Sequence, residues 1–186
     1  MSIVDKVIAA VTPPETEEMR TEARRKATQA ATPGDWLAQI LDHHRELESA
    51  FDAVKAAPTA PERSDALKRL GVLLTGHSIA EEAVIYPALA DSGEKAHAAM
   101  AYEEQSMAKV QLALLEKMDP MSQDFTDKLE HLEGAVKHHM YAEENNYFMD
   151  LKDEVPAGEQ ARMGKRYAEE YSRYVGTPAA VSNQTL

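Results

Sequence analysis

From Asp35 to about Lys55 the apolar residues Leu37, Ile40, Leu41, Leu47, Phe51 and Val54 recur three, four or seven positions apart. That spacing is one face of a helix, and Asp35 is placed to cap its start. A second stripe, with Leu67, Leu70, Leu73, Leu74, Val84 and Ile85, predicts a helix from about Ser64 to Ala90. Pro87 falls near its C-terminal end, where a missing backbone donor is best tolerated or bends the last turn. A third helix is predicted over about 94–117 and a fourth over 123–154, ending before Pro156. The intervening stretches "AAPTAPERS", "DSG" and "DPMSQD" read as turns. Long helices joined by short connections predict an all-α, up-down-up-down four-helix bundle over residues 35–155.

The flanks read differently. "ETEEMRTEARRKATQ" is charged throughout with almost no apolar stripe, so residues 1–34 are expected to be an N-terminal arm or loose helix lying over the bundle. Residues 156–186 are expected to form a short C-terminal helix and tail, with "EQARMGKRYAEEYSRYV" docked on the outside.

Composition narrows the class. The chain has 186 residues, enough for one well-cored domain. A net charge of -12 disfavours nucleic acid or an anionic membrane as partner, since both need clustered Lys and Arg. With no cysteine there is no disulfide, thiolate metal site or catalytic thiol. The start, "MSIVDKVIAAVTPPE", holds an apolar run broken by Asp5 and Lys6, too short and too charged for a signal peptide. No transmembrane stretch follows, so the expectation is a cytoplasmic protein.

Two segments repeat at an offset of 62 residues: "HSIAEEAVIYPAL" from His77 and "HMYAEENNYFMDL" from His139. Each reads histidine, two variable residues, alanine, two glutamates, an aromatic nine positions after the histidine, and a final leucine. A histidine four residues before a carboxylate puts both on one helical face. Seven histidines among so many acids should give roughly one such pair by chance, and one pair alone is an ordinary surface contact. Three occur here, at His44–Glu48, His77–Glu81 and His139–Glu143. His77 and Glu81 are in register with Leu70, Leu73, Leu74 and Val84, and His139 and Glu143 with Leu129, Leu132 and Val136. An unpaired carboxylate in an apolar seam is costly, and such charges are normally paired or bound to metal. With His44 in the first seam, five ligand-type side chains line the bundle axis. Imidazole and carboxylate without thiolate suit iron, manganese or zinc. Two carboxylates on facing helices favour a dinuclear site. A ferritin-like bundle would need two Glu-x-x-His motifs, and only Glu94 to His97 fits.

The stretches "ILDHHREL", "GHSIAEEAVIYPAL" and "HHMYAEENNYF" resemble the hemerythrin HHE cation-binding domain over roughly residues 35–153. That resemblance implies a four-helix bundle with an oxo- or hydroxo-bridged non-heme centre of two iron ions that meets O2, H2O2 or NO. It implies His44 as the first-helix ligand, His77 and His139 as terminal ligands, and Glu81 and Glu143 as bridges. The pattern also expects a third-helix histidine, where this chain has Gln105. Either that position stays open to a small ligand or a neighbour fills it. Tyr102, one turn earlier, is the candidate, its phenol being a strong donor to ferric iron; core packing is the competing role.

Other histidines are read as non-ligands: His43 and His138 at helix interfaces, His97 and His131 at the surface. Glu48 is placed to orient His44 or to form a salt bridge. Reversible O2 binding, sensing and catalase- or peroxidase-like removal of peroxide share this machinery. An iron store or donor without catalysis and a metal-free helical scaffold are the alternatives.

Overall fold

The computed structural model describes residues 15–176. The "MSIVDKVIAAVTPPE" run up to residue 14 and the tail from 177 lie outside the described residues. Those described are helical, with no strand among them. The elements are α1 (Glu17–Ala30), α2 (Trp36–Ala56), α3 (Ala60–Ala80), α4 (Tyr86–Asp91), α5 (Lys95–Leu115), α6 (Gln123–Ala142), α7 (Phe148–Glu154) and α8 (Ala157–Val175). None is long and apolar enough to cross a membrane.

Local chemistry sets the helix starts. Thr16, Asp35, Thr59 and Ser122 each accept a hydrogen bond from the backbone N–H three residues on, satisfying a donor that the first turn leaves free. Pro61 sits in the first turn of α3, where its missing N–H costs nothing, so the helix begins a few residues before the predicted Ser64.

The second and fourth predicted helices are not continuous α-helices. Between α3 and α4, Glu81–Ile85 is π-helical, with the Tyr86 N–H bonded to the Glu81 carbonyl. Between α6 and α7, Glu143–Tyr147 is π-helical, with the Phe148 N–H bonded to the Glu143 carbonyl. Each widened turn begins at the second residue of a His-x-x-x-Glu pair. Such turns cost hydrogen-bond geometry and gather at functional sites.

The core is split. Trp36, Leu37, Ile40, Leu41, Ile85, Tyr86, Phe148 and Tyr167 belong to one apolar cluster. Leu47, Phe51, Leu70, Leu74, Leu112, Phe125, Leu132 and Met140 belong to the other. On α2 the break falls between Leu41 and Leu47, which places His44 in it. On α3 it falls between Leu74 and Ala80, which places His77 in it; on α5, between Ala101 and Ala108, at Gln105. A layer of polar side chains therefore crosses the interior between two apolar sections.

Of the two flanks, the C-terminal one departs from expectation. The charged N-terminal stretch is a regular helix, α1, that lies over the second π-turn by burying only Ala23 and Ala27. The C-terminal helix α8 is no external appendage. It lies against α2 and α3 with Met163, Gly164 and Tyr167 buried. A Cβ on Gly76 of α3 would meet Val175 at 2.4 Å, so glycine is what allows this close approach.

Candidate metal centre

The polar layer brings together donors from both halves of the repeat. One ligand atom from each of His44, His77, Glu81 and Glu143 lies within 4.8 Å of the others, and all four residues are buried. His77 Nε2 is 3.1 Å from Glu81 Oε2, across one helical turn. His44 Nε2 is 3.4 Å from Glu143 Oε2. His139 adjoins this group, its Nε2 3.2 Å from Glu143 Oε1.

Four of these buried atoms have no hydrogen-bond partner of acceptable geometry: His44 Nε2, His77 Nε2, Glu81 Oε1 and Glu143 Oε2. Buried polar atoms are rarely left so. Here they converge on one small volume, and they are nitrogen and oxygen donors of the kind that bind a cation. The cluster fits a metal ion on that observation.

The outward nitrogens are held. His44 Nδ1 donates to Glu144 Oε1 at 2.6 Å and His139 Nδ1 to Glu104 Oε2 at 2.7 Å. His77 Nδ1 lies 3.1 Å from the Tyr167 hydroxyl, which lies 2.9 Å from His43 Nδ1. For His77 to offer Nε2 to a cation, its Nδ1 carries the proton and donates to Tyr167, whose own proton then goes to His43. Fixing the far nitrogen sets ring orientation and basicity of the near one.

Protonation in the metal-free layer follows from burial and charge. His44 is penalised by burial, but Glu143 and Glu144 outweigh this and raise it to about 9. Burial and the nearby Glu143 charge push Glu81 up to about 8. Burial also opposes ionisation of Glu143, yet His139 and His44 hold it well below the usual carboxylate range. His139 is raised by Glu143 and Glu104 against burial, whereas burial and the His44 charge depress His77. Protons thus occupy at neutral pH the positions that a cation would take.

Tyr86 is a member of the layer that sequence reasoning missed. Its hydroxyl donates to Glu143 Oε1 at 3.0 Å and lies 3.1 Å from His139 Nε2 and 3.2 Å from Glu81 Oε2. A signal existed, since Tyr86 is the aromatic nine positions after His77; its counterpart Phe148 has no hydroxyl.

Tyr102 does not face the cluster. Its side chain is partly exposed and its hydroxyl donates to the Glu82 carbonyl at 2.6 Å. In the π-turn that carbonyl would look five residues on, to Pro87, which has no N–H. Tyr102 supplies the missing donor. Gln105 does face the layer, and its Nε2 donates to Glu81 Oε2 at 2.6 Å.

The remaining residues separate cleanly. Glu48 does not touch His44; it pairs with Arg24, and Glu144 is the carboxylate on His44. Arg24 Nε donates to Glu144 at 2.6 Å, so an α1 cation stands behind the carboxylate that holds a buried histidine of the cluster. His43 stacks on Tyr171, His138 pairs with Glu15 and His97 with Glu94, while His131 lines a groove on α6.

The described residues form an all-helical domain enclosing a buried histidine–carboxylate cluster that could hold a cation. The chain belongs to the hemerythrin HHE cation binding domain family, which matches over residues 36–151. No match was found among curated proteins or among solved structures. Arg24 and Tyr167 both lie outside the matched span, on α1 and α8, yet Arg24 holds the carboxylate partner of His44 and Tyr167 is itself the partner of His77.

Proposed function

We propose that the chain carries a dinuclear non-heme iron centre that binds or reacts with O2, H2O2 or NO, in a bundle of up-down-up-down order. The observation that carries this reading is the convergence of four partnerless buried donors, two of them carboxylates from opposite halves of the repeat. His44, His77, His139, Glu81 and Glu143 would hold the metal, with Tyr86 as a sixth donor. Six side chains exceed what one open catalytic ion needs, and carboxylates drawn from both π-turns suit two ions. A phenol among imidazoles and carboxylates favours iron over zinc.

Iron bound there supplies a one-electron redox couple and a Lewis-acidic position for a small ligand. The chain's own residues do the rest. Glu144, Tyr167 and Glu104 keep the three imidazoles turned inward. Gln105 occupies the third-helix position with an amide N–H directed at Glu81, which holds that carboxylate in place without filling a coordination position. The Tyr86 hydroxyl, between two carboxylates and an imidazole, has acceptors at hand for the proton it gives up on becoming a donor to the metal. The apolar clusters above and below limit water.

The test is reconstitution of metal-free protein with ferrous iron, followed by metal analysis and absorption spectra with azide and with H2O2. About two irons per chain, an azide-induced spectral change and peroxide consumption above that of free iron are expected. Bound iron that answers neither reagent favours a store or donor, and no bound iron leaves a scaffold.

A further inference from the structure

Three buried polar atoms without a hydrogen-bond partner are not spent on the metal cluster: His97 Nδ1, which faces Glu94 Oε2 at 2.6 Å as an ion pair, and the pair that matters here, Ser78 Oγ and Gln105 Oε1. The Gln105 amide is oriented by chemistry, because its nitrogen must be the group facing the Glu81 carboxylate at 2.6 Å. Its oxygen is therefore left for something else. Both residues line a cavity of about 440 Å³ between α3, α5 and α6. Leu74, Ala108, Leu132 and Val136 supply apolar walls, and His77 and His139 mark its inner end. The space exists partly because α5 and α6 present the small Ala108 and Ala135 across it.

Size decides against a diatomic occupant alone. A water molecule takes roughly 30 Å³, and O2 or H2O2 little more. The cavity is over ten times that, within the range of organic-ligand sites. Charge narrows the class further. No lysine or arginine lines the cavity, while Glu103 and Glu104 do. Those two carboxylates, in a chain of net charge -12, oppose a carboxylate or phosphate and favour an uncharged ligand.

We propose that this groove is a binding site for an uncharged organic molecule with a hydroxyl on an apolar body, an alcohol or phenol. The hydroxyl donates to Gln105 Oε1 or accepts from Ser78 Oγ, and the body lies against the aliphatic walls. The inference stands apart from the identity of the metal, since it uses atoms that the cluster leaves over.

Calorimetric titration of 4-butylphenol into the full chain, metal-free and iron-loaded, tests this. Saturable binding at one site is expected, with butylbenzene about tenfold weaker for want of the hydrogen bond. The anion 4-butylbenzoate should be weaker still. Ala108→Leu narrows the cavity from within and Ala135→Phe from its exposed rim, and each should lower phenol affinity at least tenfold. Circular dichroism checks that both fold; Ala135→Phe changes a solvent-facing position and serves if Ala108→Leu does not. Resonance shifts at the Ala108 and Ala135 methyls on adding the phenol locate the site directly. No saturable heat in either form, shifts confined elsewhere, or tighter binding of the benzoate would overturn the proposal. Phenol binding that persists in protein holding no iron would support it even as the dinuclear reading failed.

Discussion

Arg24 and Glu144, 120 positions apart in the chain, meet at 2.6 Å, and the same Glu144 Oε1 accepts from His44 Nδ1 at the same distance. The guanidinium of an N-terminal helix outside the family domain thereby fixes the carboxylate that orients a buried imidazole. Glu144 is only 2 % exposed, so without Arg24 its charge would be left poorly compensated.

Arg24→Ala should weaken metal binding roughly 10–100-fold, the usual effect of losing such an outer partner. Chelator competition measures this. Arg20→Ala, which removes contacts only to Glu15 and Glu17, is the control and should leave affinity unchanged. Equal affinities in both variants would show that α1 only covers the site.

The two tyrosines give a sharper contrast. A phenolate on ferric iron produces an intense visible charge-transfer band. Tyr86→Phe should abolish such a band, and Tyr102→Phe should leave it intact at the cost of the bond to the Glu82 carbonyl, about 1 kcal/mol. Absorption spectra of the two iron-loaded variants decide between them, and loss of the band in Tyr102→Phe alone would reverse the assignment.

Metal binding should release protons and strengthen with pH. Metal ligands bind deprotonated. His44, raised to about 9, Glu81, raised to about 8, and the raised His139 all carry protons in the metal-free protein at pH 7. Apparent affinity should therefore rise from pH 6 to pH 9 as those protons leave unaided. Calorimetry in buffers of different ionisation enthalpy counts the protons; none released at pH 7 would contradict the protonation pattern.

His43 provides a linkage test of stability. Burial between Tyr167 and Tyr171, aided by the His44 charge, lowers it to about 4. A depressed histidine stabilises the fold fully above its unfolded value near 6.5, and that stability is lost as pH falls toward 4. His43→Gln cannot titrate, so the stability gap between wild type and variant should shrink on acidification across that window. Discounted for residual solvent, the change is roughly 1–2 kcal/mol. Denaturant titrations at pH 7 and pH 4.5 measure it, and a constant gap would mean His43 titrates normally.

Phe51→Ala, in the apolar cluster away from the metal layer, should cost about 3–5 kcal/mol of stability and leave metal stoichiometry intact. Chemical denaturation with metal analysis separates the two effects. Loss of metal at unchanged stability would show that the two sections are not independent.

Much of the layer was legible because periodicity reports burial. His44, His77, Glu81, His139 and Glu143 each fell in an apolar stripe, and each lies buried in the layer. The π-turns were not legible, because a widened turn leaves the apolar register nearly unchanged while rotating the residues beyond it. That rotation is why Tyr86 faces inward and why Tyr102, one turn before Gln105, is drawn to the carbonyl that Pro87 cannot satisfy. Arg24, Glu144 and Tyr167 were missed for a different reason. Their roles depend on contacts 120 and 90 residues away along the chain, which no local spacing encodes. The flanking helices were underrated because α1 docks through two alanines and α8 through a close approach at Gly76, neither of which makes a conspicuous stripe.

The central claim is that Glu81 and Glu143 together hold the metal pair. Metal analysis of Glu81→Ala/Glu143→Ala after iron reconstitution, beside wild type, tests it most directly. The account predicts about two irons per chain in wild type and little or none in the double variant, with helical content retained. Stoichiometric iron surviving in the double variant would contradict it.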